Sequence, residues 1–191
     1  HIAEETNGST ITPRQFEEEI RLLWEQGYET VTFDQMIAYV KDGKALPEKA
    51  VCITFDDGYR SNYEYAYPIL KKYGMKATIF VIGASVGSTE YYKDTDYPIT
   101  PHFNFEEAKE MVDSGVISIQ SHTYDMHQYG PYEQGENFRG NILRLEGESE
   151  QEYIETLTAD FTRSKTEIEE GVGKEVRVLS YPGGSYDLLS Q

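Results

Sequence analysis

The chain has 191 residues, of which 38% are hydrophobic, and this length and composition predict one globular domain with a sizeable core. Its formal net charge of −17 argues against a nucleic-acid partner, because affinity for a phosphate backbone comes from clustered lysine and arginine. No apolar run reaches the roughly 18 residues that a membrane-spanning helix needs, and the single cysteine, Cys52, cannot form an internal disulfide.

Five segments carry the start and stop signals of helices. Four of them begin with a capping box, in which a Ser, Thr or Asn side chain is followed three positions later by Gln or Glu. These pairs are Thr12 with Gln15, Thr32 with Gln35, Asn104 with Glu107, and Ser149 with Glu152. A glycine closes each apolar pattern, so the sequence predicts helices over residues 12–27, 32–43, 104–115 and 149–171. A fifth helix is predicted over residues 67–74, with Pro68 in its first turn.

Short apolar runs rich in β-branched residues alternate with these helices. They lie at residues 50–55, 77–82, 116–120 and 176–179. The alternation predicts an α/β fold with a mostly parallel sheet buried on both faces, and it leaves open whether the sheet is flat or curls toward a barrel. Two connections, residues 84–103 and 123–148, are too long for plain turns and are expected to carry function.

Polar motifs follow three of the predicted strands. They are Asp56-Asp57-Gly58, the stretch SHTYDMH at residues 121–127, and the stretch SYPGGSYD at residues 180–187. An Asp-Gly pair alone also forms ordinary turns. In parallel α/β folds, however, the carboxyl ends of the strands face one crevice, which is where binding and catalytic groups gather. The three motifs are therefore expected to meet at one site.

His122 and His127 are the candidate metal ligands at this edge. On a helix they would point about 140° apart, so a loop must bring them together. An isolated histidine pair can also cap or decorate a surface, but two imidazoles with a carboxylate form the ligand set of a catalytic zinc. Zinc lowers the pKa of its bound water to about 7. One aspartate of the adjacent pair is then expected to bind the cation, and the other to accept the proton of the attacking water.

With these residues, the chain resembles the polysaccharide deacetylases of carbohydrate esterase family four, which share the chitooligosaccharide-deacetylase homology domain. The first family motif, Thr-Phe-Asp-Asp-Gly, is present at residues 54–58, and the second is present as His122, Thr123 and His127. The resemblance covers about residues 12–187. It implies that Asp56 is the catalytic base and that Asp57 joins the two histidines in binding the metal, most simply Zn²⁺. It also implies a distorted, incomplete (β/α) barrel with seven strands in the family.

The third family motif departs from the usual pattern. It normally reads Arg-x-Pro-x-Gly and here reads Ser180, Tyr181, Pro182, Gly183, Gly184, so Ser180 replaces the arginine that orients the base. By resemblance, the backbone N–H near Gly183 is expected to serve as an oxyanion donor.

The family's general acid is a histidine in a later Leu-x-His motif, which is expected beyond Gln191. The chain starts at His1 rather than methionine, so we expect a processed or trimmed chain. We therefore expect residues 1–191 to form one deacetylase domain that is truncated at its C-terminus. His102, beside Pro101, is expected to face solvent or to cap the loop, not to replace the acid.

Substrate binding is predicted from aromatic residues near the third motif and the histidine loop. Tyr181, Pro182 and Tyr124 are the proposed contacts, within a rim of tyrosines suited to stacking on sugars. The rim comprises Tyr91, Tyr92, Tyr97, Tyr124, Tyr129, Tyr132, Tyr181 and Tyr186.

The predicted partner is an extracellular or cell-surface polysaccharide. Four residues separate His122 from His127, where the strong family pattern has three, and this spacing resembles the branch that deacetylates poly-N-acetylglucosamine. The expected function is therefore metal-dependent removal of N-acetyl groups. The alternatives are an O-acetyl xylan esterase and a catalytically silent glycan-binding domain of the same fold. The sequence leaves the oligomeric state open.

Overall fold

Helices and parallel strands alternate along the chain in the computed structural model, which describes residues 1–6, 8–93, 95–130, 133, 135 and 137–190. The helices are α1 (Pro13–Glu25), α2 (Phe33–Asp42), α3 (Tyr67–Tyr73), α4 (Phe105–Asp113) and α5 (Glu150–Val172). The strands are β1 (Glu29–Thr30), β2 (Ala50–Val51), β3 (Thr54–Phe55), β4 (Ala77–Val81) and β5 (Ile117–Ser121). A π-helical turn, Asn62–Ala66, leads into α3.

The helix starts follow the local sequence signals. All four predicted capping boxes are present, with each cap side chain accepting the N–H of its partner residue. A residue that satisfies one of the free N–H groups at a helix start stabilises the helix by about 1 kcal/mol. The end of α5 differs from the prediction, because the helix passes through Gly171 and stops at the left-handed Gly173. Gly171 is instead a packing position, where an added Cβ would collide with the Phe105 ring.

The strands pair in parallel with their neighbours in the chain. β1 pairs with β2, and β3, β4 and β5 form a sheet in that order. A single bridge between Ser121 and Leu179 places the segment after α5 beside β5. Parallel strands ordered as they occur in the chain, with helices between them, confirm the prediction of an α/β fold in the form of an incomplete (β/α) barrel. The ladders found among the described residues do not close on themselves.

Two strand predictions need correction. The apolar run at residues 50–55 is two short strands, because its first half pairs with β1 and its second half with β4. The run at residues 176–179 makes only the single bridge at Leu179. There, the Gln120 side-chain oxygen accepts the N–H groups of Arg177 and Val178 in place of a regular ladder. β1 was not predicted, since two residues carry too little pattern.

The main core lies between the sheet and helices α1, α3, α4 and α5. Its fully buried members include Leu70, Ile79, Met111 and Ile168. Burying one such side chain stabilises the fold by about 1.5–3 kcal/mol. A second, smaller cluster holds the long loop after β5 against α5, and it consists of Met126, Ile142, Tyr153 and Leu157. The loop that carries the predicted metal ligands is therefore packed, not simply exposed.

Within the described ranges, no helix combines the length and the apolar character that crossing a membrane requires.

Candidate metal centre and active site

Three side chains with metal-binding atoms meet at the carboxyl ends of β3 and β5. Asp57 comes shortly after β3, His122 follows β5 directly, and His127 lies in the loop beyond it. The Nε2 atoms of His122 and His127 each lie 3.7 Å from Asp57 Oδ1, and the candidate ligand atoms all lie within 4.8 Å of one another. The structure brings together the three residues that were predicted to share a metal ion.

Ser180 determines which nitrogen of His122 faces this cluster. Nδ1 of His122 lies 2.8 Å from the backbone carbonyl oxygen of Ser180, and a carbonyl can only accept a hydrogen bond. Nδ1 therefore carries the ring proton and donates it, which leaves the lone pair of Nε2 free on the side of Asp57. A carbonyl partner of this kind is a common support for a metal-binding histidine.

The surroundings of Asp57 fit a cation. Its Oδ1 atom is buried and has no hydrogen-bond partner among the residues that the structure describes. The two imidazoles, at 3.7 Å, are too distant to donate to it. A buried carboxylate oxygen without a partner is costly, whereas a divalent cation shared with two imidazole nitrogens would satisfy all three groups.

The turn that presents Asp57 requires a left-handed backbone. Asp57 has φ 70° and Gly58 has φ 83°. An added Cβ at Gly58 would lie 2.9 Å from Cγ1 of Val81 in β4. Glycine is therefore needed both for the backbone conformation and for the close approach of the neighbouring strand.

Asp56, the predicted base, is held differently from Asp57. It is exposed, and the Ser180 hydroxyl donates to its Oδ1 over 3.5 Å, which is the outer limit of a hydrogen bond. Ser180 thus contacts both halves of the site, with its carbonyl on His122 and its hydroxyl on Asp56. Sequence reasoning missed the first contact, because a backbone carbonyl leaves no residue-type signal.

The rest of the third motif forms a compact turn. Tyr181 stacks on Tyr186 with ring centroids 5.6 Å apart, and Pro182 is buried. Gly183 has φ 61° within a short 3₁₀ turn. Among the described residues, two cavities lie at the strand ends, one lined by Asp57 and His127 and the other by Asp56 and Asp57. These predicted substrate and oxyanion residues line neither of them.

Tyr124 packs as part of the histidine loop. An added Cβ at Gly83 would lie 2.6 Å from the Tyr124 ring, and the guanidinium of Arg163 lies 3.7 Å from its centroid. The ring lines a cavity beside α5 together with Asp160, apart from the two cavities that contain Asp57. Its predicted contact with substrate stays a prediction.

A cavity of about 340 Å³ lies beside the candidate metal ligands, within the size range of small-molecule sites. Asp57 and His127 line it, and its walls come from both of the long connections that were expected to carry function. Of the tyrosine rim, Tyr92 and Tyr129 reach it, whereas Tyr132 lies outside the described residues. A second cavity of about 640 Å³ contains Asp56 and shares Asp57 with the first.

The two long connections, residues 84–103 and 123–148, contact each other beside the first cavity, the one that Asp57 and His127 line. The Lys93 ammonium, on the first connection, contacts the Asp125 carboxylate at 2.6 Å and also pairs with Glu133. Glu133 in turn accepts the Tyr92 hydroxyl at 2.8 Å. Side chains of the first connection therefore stabilise the part of the second connection that carries His127.

His102 forms part of the first cavity, so the expectation that it faces solvent is wrong. It is 5% exposed, its backbone bridges to Tyr59, and the two rings lie 5.0 Å apart. Burial lowers the pKa of His102 to about 4, although the Asp57 charge and a hydrogen bond to the Thr100 backbone act in the opposite direction. Burial, followed by the neighbouring Asp57, raises the pKa of the Tyr59 phenol. Both side chains are therefore neutral near pH 7.

The fold is a parallel α/β sheet, and its strand ends carry an Asp-His-His cluster with a second aspartate beside it. Both features are those expected of a polysaccharide deacetylase. The chain belongs to the polysaccharide deacetylase family, whose family model matches residues 43–190.

Individual relatives support this assignment. YxkH of Bacillus subtilis (strain 168) is 34% identical over 98% of this chain. The poly-β-1,6-N-acetyl-D-glucosamine N-deacetylase of Staphylococcus aureus (strain MRSA252) is 30% identical over 95% of it. A solved structure of a de-N-acetylase from Aggregatibacter actinomycetemcomitans superimposes with a TM-score of 0.79 and 27% identity, covering 98% of this chain and 75% of that one. The chain spans 56% of the length of each of the two sequence relatives.

Proposed function

We propose that the protein is a metal-dependent polysaccharide N-deacetylase that acts on an N-acetylglucosamine polymer at the cell surface or outside the cell. The observation that carries this proposal is the buried, unpartnered Oδ1 of Asp57, with the Nε2 atoms of two histidines 3.7 Å away. Similarity to the S. aureus deacetylase supports the choice of polymer.

Asp57, His122 and His127 would hold the ion. One carboxylate oxygen and two imidazole nitrogens, with positions left for water and substrate, form a donor set that suits Zn²⁺. When bound, zinc supplies a Lewis acid that makes water more acidic and polarises an acyl carbonyl.

Asp56 is proposed as the base. Water would attack the carbonyl carbon of the acetamide, and Asp56 would accept a proton from that water. The carbon–nitrogen bond would then break as the leaving nitrogen takes up a proton, from Asp56 or from the general acid predicted beyond Gln191, to release acetate and an amine. The exposure of Asp56 to the second cavity leaves it reachable by solvent and substrate. The Gly183 N–H as oxyanion donor, and Tyr181, Pro182 and Tyr124 as substrate contacts, stay predictions, as does a general acid beyond Gln191.

The test is acetate release by the full-length protein loaded with zinc. It should be offered β-1,6-linked and β-1,4-linked N-acetylglucosamine oligomers and acetylated xylan in parallel. We expect acetate from an N-acetylglucosamine oligomer, with the β-1,6-linked one preferred. Acetate from xylan alone would replace the proposal by an O-deacetylase. Release from none of them, with zinc bound, would favour a silent glycan-binding domain.

A further inference from the structure

The loop that carries both histidines contains a strained residue. Thr123, directly after His122, has φ 72°, and a β-branched residue is a rare occupant of the left-handed region. Such a conformation is unfavourable and persists only where the surroundings over-determine it. The backbone turn at Thr123 is what redirects the chain from β5 toward His127, so the surroundings that hold it also hold the cluster.

Helix α5 supplies much of that support from outside the cluster. The Asp160 carboxylate accepts the N–H of Tyr124 at 2.7 Å with one oxygen and the N–H of Asp125 at 2.8 Å with the other. These are the two residues that follow Thr123. One carboxylate therefore fixes the orientation of two successive peptide groups in the middle of the loop.

Ser164 acts on the same turn from one helical turn further along α5. The Ser164 Oγ lies 2.7 Å from the Ser121 Oγ. The Ser121 Oγ in turn accepts the Thr123 N–H at 3.1 Å. Ser164 is fully buried, and residues four apart on a helix lie on the same face. Asp160 and Ser164 are thus two adjacent supports on one face. Asp160 accepts two successive backbone N–H groups directly, and Ser164 contacts the Ser121 hydroxyl that accepts the N–H before them.

The partial burial of Asp160 is a cost that packing alone does not explain. Its burial and the nearby Asp125 charge raise the pKa of this carboxyl, against the two backbone hydrogen bonds and the Arg139 charge, which lower it. An apolar side chain at this position would avoid the desolvation of a carboxylate. What only the carboxylate offers is two acceptor oxygens at a fixed spacing.

We propose that Asp160 and Ser164 are positioning residues of the metal centre. They hold the strained loop at residues 122–127 so that the two imidazoles face Asp57, and they thereby set the affinity and the ligand geometry for the ion. The inference rests on the proposed function only in requiring that this cluster binds a divalent metal.

The test measures metal binding, not turnover. Zinc affinity of the full-length protein would be determined by competition with a chromophoric chelator, and the visible absorption of the Co²⁺-substituted protein would report ligand geometry. In Asp160→Asn, one of the two N–H groups faces an amide NH₂ instead of an oxygen. We expect zinc affinity to fall about 10- to 100-fold, the range seen when a support beyond the ligands is lost, together with a changed Co²⁺ spectrum.

Two further variants complete the design. Glu170→Gln removes an exposed carboxylate from the same helix and should match wild type in both measurements. Ser164→Ala removes a single hydroxyl and should weaken zinc about threefold, in line with one ordinary hydrogen bond. It also provides the decisive measurement if Asp160→Asn fails to fold.

Wild-type zinc affinity and Co²⁺ spectra in every folded variant at Asp160 and Ser164 would overturn the inference. That outcome is separate from failure of the proposed function, in which wild-type protein binds zinc but releases no acetate.

Discussion

The two aspartates of the Asp-Asp-Gly motif are neighbours in sequence but lie in opposite kinds of environment. Asp57 faces a packed, buried half of the site, where His122 is 3% exposed and its Nδ1 donates to the Ser180 carbonyl. Asp56 lies in an open half, exposed, with one 3.5 Å contact from the Ser180 hydroxyl. The difference indicates that this fold builds a rigid ion site and leaves the base accessible. The predictions below test that division.

The largest expected effect comes from removing the rigid half. The double substitution His122→Ala and His127→Ala deletes two of the three candidate ligands, and one carboxylate cannot hold zinc alone. We expect metal content to fall to background in protein purified without chelator, as measured by elemental analysis.

The matched control for that experiment is His102→Gln, which changes a buried histidine outside the cluster and should keep the metal. Unchanged metal content in the double variant would place the ion elsewhere.

The next largest effect should separate the two aspartates. Asp56→Asn keeps the side-chain volume but cannot accept a proton near neutral pH, so we expect metal content to stay at wild-type level while acetate release falls about 10²- to 10⁴-fold. Asp57→Asn, measured beside it, should lose metal as well as activity.

If Asp56→Asn lost metal and Asp57→Asn kept it, the roles assigned to the two halves would be reversed.

A third prediction concerns the cavity wall next to Asp57. The pKa of His102 is lowered to about 4 in the folded chain, against about 6.5 for an unfolded histidine. Between these values the unfolded chain binds a proton that the folded chain does not, so His102 makes stability fall as pH falls through this window. The total loss is on the order of 3 kcal/mol between pH 7 and pH 4.

The measurement is denaturant unfolding of wild type and His102→Gln across that pH range, with chelator present. Glutamine retains a side-chain N–H group but does not titrate. The stability of the variant should therefore depend less steeply on pH. Parallel curves for the two proteins would show that His102 takes up its proton equally in both states.

The smallest effect is expected at the residue that contacts both halves. Ser180→Ala removes the hydroxyl that donates to Asp56 and keeps the carbonyl that accepts from His122. A 3.5 Å hydrogen bond in solvent contributes little, so we expect acetate release to fall less than about threefold and metal affinity to stay unchanged. A loss approaching that of Asp56→Asn would mean that Ser180 orients the base as strongly as the family arginine.

Much of the local structure could be predicted from short stretches of sequence. The four capping boxes formed as predicted, because the bonds of a cap join residues three apart and need no tertiary partner. The gathering of Asp57, His122 and His127 could also be predicted, because parallel strands bring their carboxyl ends to one edge.

Other features depend on contacts between residues distant in the sequence. The division of residues 50–55 into two strands depends on which neighbour each half meets. The burial of His102 depends on its bridge to Tyr59, and the support of the histidine loop depends on Asp160, which lies 36 positions beyond Tyr124. The residue types alone did not predict that His102 is buried or that Asp160 supports the loop, since an aspartate in a helix or a histidine beside a proline is usually solvated.

The sequence by itself therefore determined the helix starts, the alternation of helices and parallel strands, and the candidate ligands, through periodicity and motif chemistry that act over a few residues. Only the tertiary structure decided the environment of each group: which aspartate has a buried oxygen, which histidine stays neutral and which helix holds the metal loop. The physical reason is that burial, charge and hydrogen-bond partners are properties of packed surroundings, which residues far apart in the chain create together.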